Sequence, residues 1–282
     1  MQLDANVPPG YMSSMRAGHL LAAHPTRSDE DSPAAMRLKL ISCNVFQREA
    51  SWCIARSPHV IDPDYTELGE HARSAGLRQL IQERIDATEK SGRTYDAIVL
   101  LFGLCGNATV GLQARRTPLV IPRAHDCCTI LLGSRAKFTE HFGAAPSTPF
   151  SSAGYLERGD YFLRTGDGGV PGVQIGDAYQ ALVEKFGEED AKYIWAEMYP
   201  DRGEEKAVFI DLPQTSHLGY AEKFEAKAAA AGKQAVQLPG DIRLIENLLL
   251  GNWDPKEYLI VPPAATIEGV YDWDEVVRAK KS

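Results

Sequence analysis

The sequence predicts an α/β protein built as two Rossmann-like halves, with mostly parallel sheets and a cleft between them. Three features predict it. Short runs such as Asp96 to Phe102 have strand length and are apolar on both faces, as strands in a helix-covered parallel sheet are. Stretch 66–90 places Leu68, Ala72, Leu77, Leu80, Ile81 and Ile85 at amphipathic helical spacing. The same alternation of strand and helix returns after residue 207.

The elements follow in order. Residues 1–35 carry Pro8, Pro9, Gly10, several serines and the charged run Arg27 to Asp31, and read as a loosely ordered extension. Arg37 to Asn44 alternates and then turns apolar, so a strand ends near Cys43. After the helix over 66–90 and the strand over 96–102, Leu119 to Pro122 reads as a third strand, and Thr129 to Leu132 continues into a helix or turn. The middle is turn-rich at 143–154 and 166–172, with a helix expected over about 177–199. Strands follow at Ala207 to Leu212, Ala235 to Leu238 and Tyr258 to Val261, the last stopped by Pro262 and Pro263. Helices fall at Leu218 to Ala231 and Ile242 to Leu250. The implied organisation is an extension (1–35), an α/β half carrying cysteine and histidine (36–145), and a second α/β half with a C-terminal tail (146–282).

Composition narrows the function. The chain has 282 residues, 44% hydrophobic and 24% charged, with a formal net charge of −8. Without a lysine- and arginine-rich run, nothing suggests a nucleic-acid partner. No stretch approaches the roughly 18 apolar residues of a membrane span, and Leu20 to Ala23 is too short for the core of a signal peptide. A cytoplasmic protein is expected. Five cysteines, an odd number, argue against a disulfide framework in such a chain.

The chemistry concentrates where predicted strands end. Cys43 ends the first, Gly103-Leu104-Cys105-Gly106 follows the second, and Arg123-Ala124-His125-Asp126-Cys127-Cys128 follows the third. Ligands of open parallel sheets collect outside the carboxyl ends of strands, so neighbouring strands bring these residues together. Thiolate and imidazole suit zinc or iron, and thiolates also hold iron–sulfur clusters. Cys43, Cys105, Cys127 and His125 are therefore the candidate metal ligands. A buried free cysteine is also an ordinary small core residue, which is the reading preferred for Cys53.

His125 can ligate, transfer a proton as general acid or base, or be tied to a backbone carbonyl. Asp126 can orient its neighbours or cap the following helix. Gly103 and Gly106 can let backbone approach a ligand or simply turn the loop. Arg123 and Glu49 are candidate substrate contacts, and Arg48 beside Glu49 suits an anion or a salt bridge. Cys128 and His71 are weaker candidates for the same site.

At these residues the chain resembles the family called domain of unknown function 1638, over about residues 36–263. The matching blocks are the strand with Cys43 and Glu49, GLCGNATVGL from Gly103, PRAHDCCTILLGS from Pro122, and GDIRLIENLLLGNWD from Gly240 followed by YLIVPP. Cys128 stands where an aliphatic residue is expected and Tyr155 where tryptophan is expected. The resemblance implies an α/β protein with a cysteine- and histidine-bearing site, and some members resemble companions of corrinoid-dependent methyltransferase systems.

The expected function is a metal-dependent enzyme acting on a small polar or anionic molecule. An accessory or carrier protein of corrinoid-dependent methyl transfer and one-carbon metabolism, partnered by a corrinoid protein or methyltransferase, is the alternative, as is an iron–sulfur protein. A thiol enzyme using one cysteine and His125 is a further reading. A homo-oligomer is compatible with all of these.

Overall fold

The structure is a computed structural model that describes residues 34–67, 74–144, 148–158, 206–270, 272 and 274–281, with a few positions between 183 and 193. The expected extension over 1–35, except its last residues, the helix over 177–199, except a few positions, and His71 lie outside the described residues.

The fold is mixed α/β around a five-stranded, mostly parallel sheet. Its strands are β1 (Arg37–Cys43), β2 (Val60–Thr66), β3 (Ala97–Leu101), β4 (Leu119–Pro122) and β8 (Tyr258–Val261). Their order is β2-β1-β3-β4-β8. The first four run parallel, and β8 pairs antiparallel with β4 through Val120 opposite Ile260. Every residue of β3 and β4 is buried, which explains their uninterrupted apolar sequence. β2 is an edge strand of mixed character holding Pro63, a residue that edge strands tolerate.

Helix α1 (Gln47–Ile54) follows β1 after a short 3-10 turn, Asn44–Phe46, and α2 (Ser74–Lys90) joins β2 to β3. From β3 to β4 the chain crosses as a loop rather than a helix. That loop is fastened to β9 (Ala265–Gly269), where Gly111 N donates to Ile267 O (2.7 Å) and Ala114 N to Ala265 O (2.9 Å). β9 forms an antiparallel pair with β10 (Val277–Lys281).

After β4 come α3 (Cys127–Leu132) and α4 (Arg135–Phe142), then β5 (Phe150–Ser151) and α5 (Ala153–Arg158). A second, parallel sheet has the order β5-β6-β7, with β6 (Lys206–Asp211), α6 (Tyr220–Ala230) and β7 (Gln234–Pro239). Its two faces separate by strand parity. Val208 and Ile210 enter the main core, while Ala207 and Phe209 form a small second core with Phe224 and Ala228 of α6.

The chain then returns to the first sheet. Gly240 packs on Ile210 and Leu212, and Asp241 N donates to Leu131 O (2.9 Å). Helix α7 (Arg243–Leu249) packs on α1 and against β3 and β4. Tyr258 at the start of β8 donates its hydroxyl to Leu244 O (2.7 Å).

Two expectations change here. The boundary between residues 145 and 146 does not divide the sheets, because β8 from the C-terminal part completes the first one. Residues 35–282 form one compact unit with a continuous main core. The second sheet is a three-stranded annex to that unit rather than a Rossmann-like half of matching size. Among the described residues, no helix is long and apolar enough to cross a membrane.

Candidate functional site

The strand order decides what meets at the carboxyl ends. With β1 between β2 and β3, the connection from β1 to β2 and the next one, from β2 to β3, run in opposite directions, so the crossover point of the sheet lies between β1 and β3. Cys43 is the last residue of β1, Cys105 lies just past β3, and Cys127 just past β4. Cys105 Sγ is 3.8 Å from Cys127 Sγ. None of the five cysteines forms a disulfide, and that distance is well beyond the roughly 2.05 Å of a sulfur–sulfur bond.

The two loops bearing these sulfurs are locked together backbone to backbone. Leu104 N donates to Ala124 O (2.8 Å) and Cys105 N to His125 O (3.1 Å), continuing the β3–β4 pairing beyond the strands. A Cβ on Gly103 would stand 2.6 Å from Asp126 Cα, so only glycine admits this approach. Gly103 is thus explained by contact with protein rather than substrate.

The next three residues all have positive φ: Cys105 (44°), Gly106 (63°) and Asn107 (69°). A cysteine in the left-handed region is strained by about 1–3 kcal/mol and persists where its surroundings hold it. Here Ala108 N donates to Cys105 O (3.2 Å), and Arg78 Nη2 donates to Asn107 O (2.8 Å). Gly106 faces open space.

Electrostatically, two thiols of the cluster are raised by burial and by their neighbours. Burial, then Cys127, hold the Cys43 thiol well above its ordinary pKa. Hydrogen bonding to Cys127, then burial, do the same for Cys105, with Asp126 and Cys43 adding to it. Glu67, whose carboxylate accepts a 2.8 Å bond from Asn44 Nδ2, also raises Cys43. Left to themselves Cys43 and Cys105 are neutral thiols, poor nucleophiles at neutral pH. A cation among them reverses that balance.

Tyr155, on α5, also belongs here. Burial, followed by Cys127, Cys43 and Cys105, holds the pKa of its hydroxyl well up. The helix reaches the site because Gly154 lies directly on the turn after Cys43, where a Cβ would fall 1.8 Å from Val45 O. In the sequence, Tyr155 follows the turn-rich stretch 143–154 and stands out only as a position where the resembled family is expected to have tryptophan.

Other predicted residues have different employment. Asp126 caps α3, accepting from Thr129 N (2.9 Å) and Thr129 Oγ1 (3.0 Å), while burial raises its pKa. Arg123 donates to Pro255 O (2.9 Å), Glu275 O (2.7 Å) and Val277 O, so its guanidinium clamps the C-terminal segments instead of pointing at a substrate. Arg48 forms a two-pronged salt bridge with Glu157 (2.7 Å each). Cys53 is in the core, its thiol pushed up to about 12 chiefly by burial, and Cys128 is likewise buried and raised. His125 places its backbone carbonyl on the Cys105 loop and its Nε2 away from solvent.

Glu49 is 1% exposed on α1, and neither carboxylate oxygen has a hydrogen-bond partner among the described residues. Burial raises its pKa from 4.5 to about 7.

A family model matches residues 65–249. The chain belongs to the family described as Protein of unknown function (DUF1638). The matched span holds Cys105, His125, Cys127 and Tyr155 and begins after Cys43. No curated protein and no solved structure matches the chain.

Two predictions follow from this geometry. Gly103→Ala must force the two loops apart and is expected to lower stability by about 1–3 kcal/mol in urea denaturation. Gly106→Ala, strained only in φ, is expected to lose about 1 kcal/mol; equal losses would contradict the close approach. For Glu49, the folded protein holds its proton more tightly than the unfolded chain. Stability therefore falls as pH rises from about 4.5 to about 7 and levels off above, by about 3 kcal/mol in all. Urea midpoints measured across that range are expected to lose this slope in Glu49→Gln.

Proposed function

We propose that Cys43, Cys105 and Cys127 hold a zinc or iron ion as thiolates and that the protein is a metal-dependent enzyme acting on a small polar molecule at the crossover point of the sheet. The observation that carries this reading is the 3.8 Å separation of Cys105 and Cys127 Sγ on two interlocked loops, one in a strained conformation. Two thiolates on a tetrahedral zinc with bonds of about 2.3 Å stand about 3.8 Å apart. That pair fits as it stands. The full set needs an adjustment: among the described residues, no group of three or more His, Cys, Asp or Glu side chains is arranged to hold a metal ion. In this reading Cys43, at the end of β1, supplies the third sulfur.

A bound metal of this kind supplies Lewis acidity at an open coordination position. The chain's own residues do the rest. Asp126 fixes the first turn of α3 and with it Cys127, and the Cys105 loop is held by the carbonyls of Ala124 and His125. His125, between the two, is the residue that ligates or moves a proton. Arg123 donates to the backbone carbonyls of Pro255 and Glu275.

Metal analysis of the protein purified from zinc- and iron-supplemented cells tests the reading. About one metal ion per chain is expected in the wild type, with loss of most of it in both Cys105→Ser and Cys127→Ser. Metal-free wild type, or metal retained in both variants, would return these cysteines to the core. A brown protein absorbing near 400 nm would point to an iron–sulfur cluster on the same thiols.

A further inference from the structure

We propose that Cys105 and Cys127 are an oxidation site, at which a peroxide converts the two thiols into one reversible disulfide. The bond follows from the geometry of the two loops. Its consequence, release of the ion, rests on the metal reading.

The two sulfurs are already in contact. Cys105 Sγ and Cys127 Sγ stand 3.8 Å apart, and both residues are free cysteines. A sulfur–sulfur bond of about 2.05 Å brings them about 1.8 Å closer, a shift within reach of side-chain rotation. The main chain need not travel. Leu104 N donates to Ala124 O and Cys105 N to His125 O, so the loops run like neighbouring strands, about 4.8 Å apart. Disulfides join Cα atoms about 4.4–6.8 Å apart.

Exposure selects the sulfur that reacts first. Of the five cysteines, Cys105 alone is not buried. The exposed Gly106 and Asn107 follow it, and Gly106 faces open space. Cys127, buried behind it, is the sulfur in place to resolve the first product. Cys128 is no equivalent rival, because consecutive residues of α3 project about 100° apart around the helix.

Cys105 sulfur, as its thiolate, attacks one oxygen of the peroxide. The O–O bond breaks, a sulfenic acid forms, and the expelled hydroxide takes up the thiol's proton as water. Cys127 sulfur then attacks Cys105 sulfur. The S–O bond breaks, the S–S bond forms, and the second oxygen leaves as water with the Cys127 proton. Two thiols are oxidised by two electrons while one hydrogen peroxide is reduced to two waters. Because Cys105 is a neutral thiol, the first step is slow and is followed over hours. Neither sulfur of a disulfide is a thiolate, so an ion held by both would lose two ligands.

The test treats the full-length protein as purified, with its metal content measured beforehand, with hydrogen peroxide. Remaining thiols are alkylated in denaturant, and tryptic peptides are analysed by mass spectrometry. Arg115, Arg116 and Arg123 offer cleavage sites between the two cysteines. Most wild-type chains are expected to carry the Cys105 peptide joined to the Cys127 peptide, a link undone by dithiothreitol. Fragment ions separate Cys127 from Cys128, so the wild type alone decides the pairing. Cys128→Ala should keep the link, and Cys127→Ala should lose it and leave oxygen on Cys105.

A link from Cys105 to Cys43 or Cys128 would overturn the proposal, as would Cys105 oxidised without a link or left unoxidised. A second arm loads the protein with zinc and follows release with a chromogenic chelator. About one zinc is expected to leave per disulfide formed. Zinc retained by chains that carry the link would overturn the release. Protein that forms the link but takes up no zinc defeats the metal reading alone.

Discussion

The candidate site depends on the contact of two backbones, Gly103 against Asp126. It places the ends of β3 and β4 so close that no side chain fits between them, and two hydrogen bonds carry the pairing of the strands out into the loops. Cys105 and Cys127 are neighbours because of it. The left-handed Cys105-Gly106-Asn107 stretch follows directly and is stabilised from outside by Arg78 and, through the rest of the β3–β4 loop, by β9. That anchoring makes the missing crossover helix intelligible. A helix would repeat one regular path, whereas a fastened loop can hold a strained cysteine at a chosen position.

The remainder of the chain reinforces this arrangement from both sides. On one side, Arg123 draws the carbonyls around Pro255, Glu275 and Val277 onto the end of β4. Arg243 bridges Gly133 O (2.6 Å) and Glu257, tying the end of α3 to the segment entering β8. On the other side, the second sheet delivers α5 and Tyr155 over the turn that follows Cys43. The annex sheet thus has a specific relation to the site: it provides the element that covers the thiols.

Much of this was legible in the sequence where burial is complete. β1, β3, β4, β6, β7 and β8 announce themselves as short apolar or alternating runs, and Cys105 and Cys127 could be placed just beyond strands. β2 was not legible, because an edge strand with Asp62, Pro63 and Asp64 has the composition of a loop. The polar β10 hid for the same reason. Strand order is a non-local property, so the position of Cys43 at the crossover waited on the structure. Arg123 and Tyr155 show the same limit from opposite directions. The arginine looked like an anion contact, but its acceptors lie more than a hundred residues later. The tyrosine was marked only as a departure from the resembled family, but Gly154 brings its helix onto the turn after Cys43.

The central claim is that the ends of β1, β3 and β4 present three sulfurs to one ion. X-ray absorption at the metal edge of the purified, metal-loaded protein tests it most directly. The account predicts a shell of three sulfur neighbours at about 2.3 Å with one lighter atom. A shell made only of nitrogen and oxygen would contradict it.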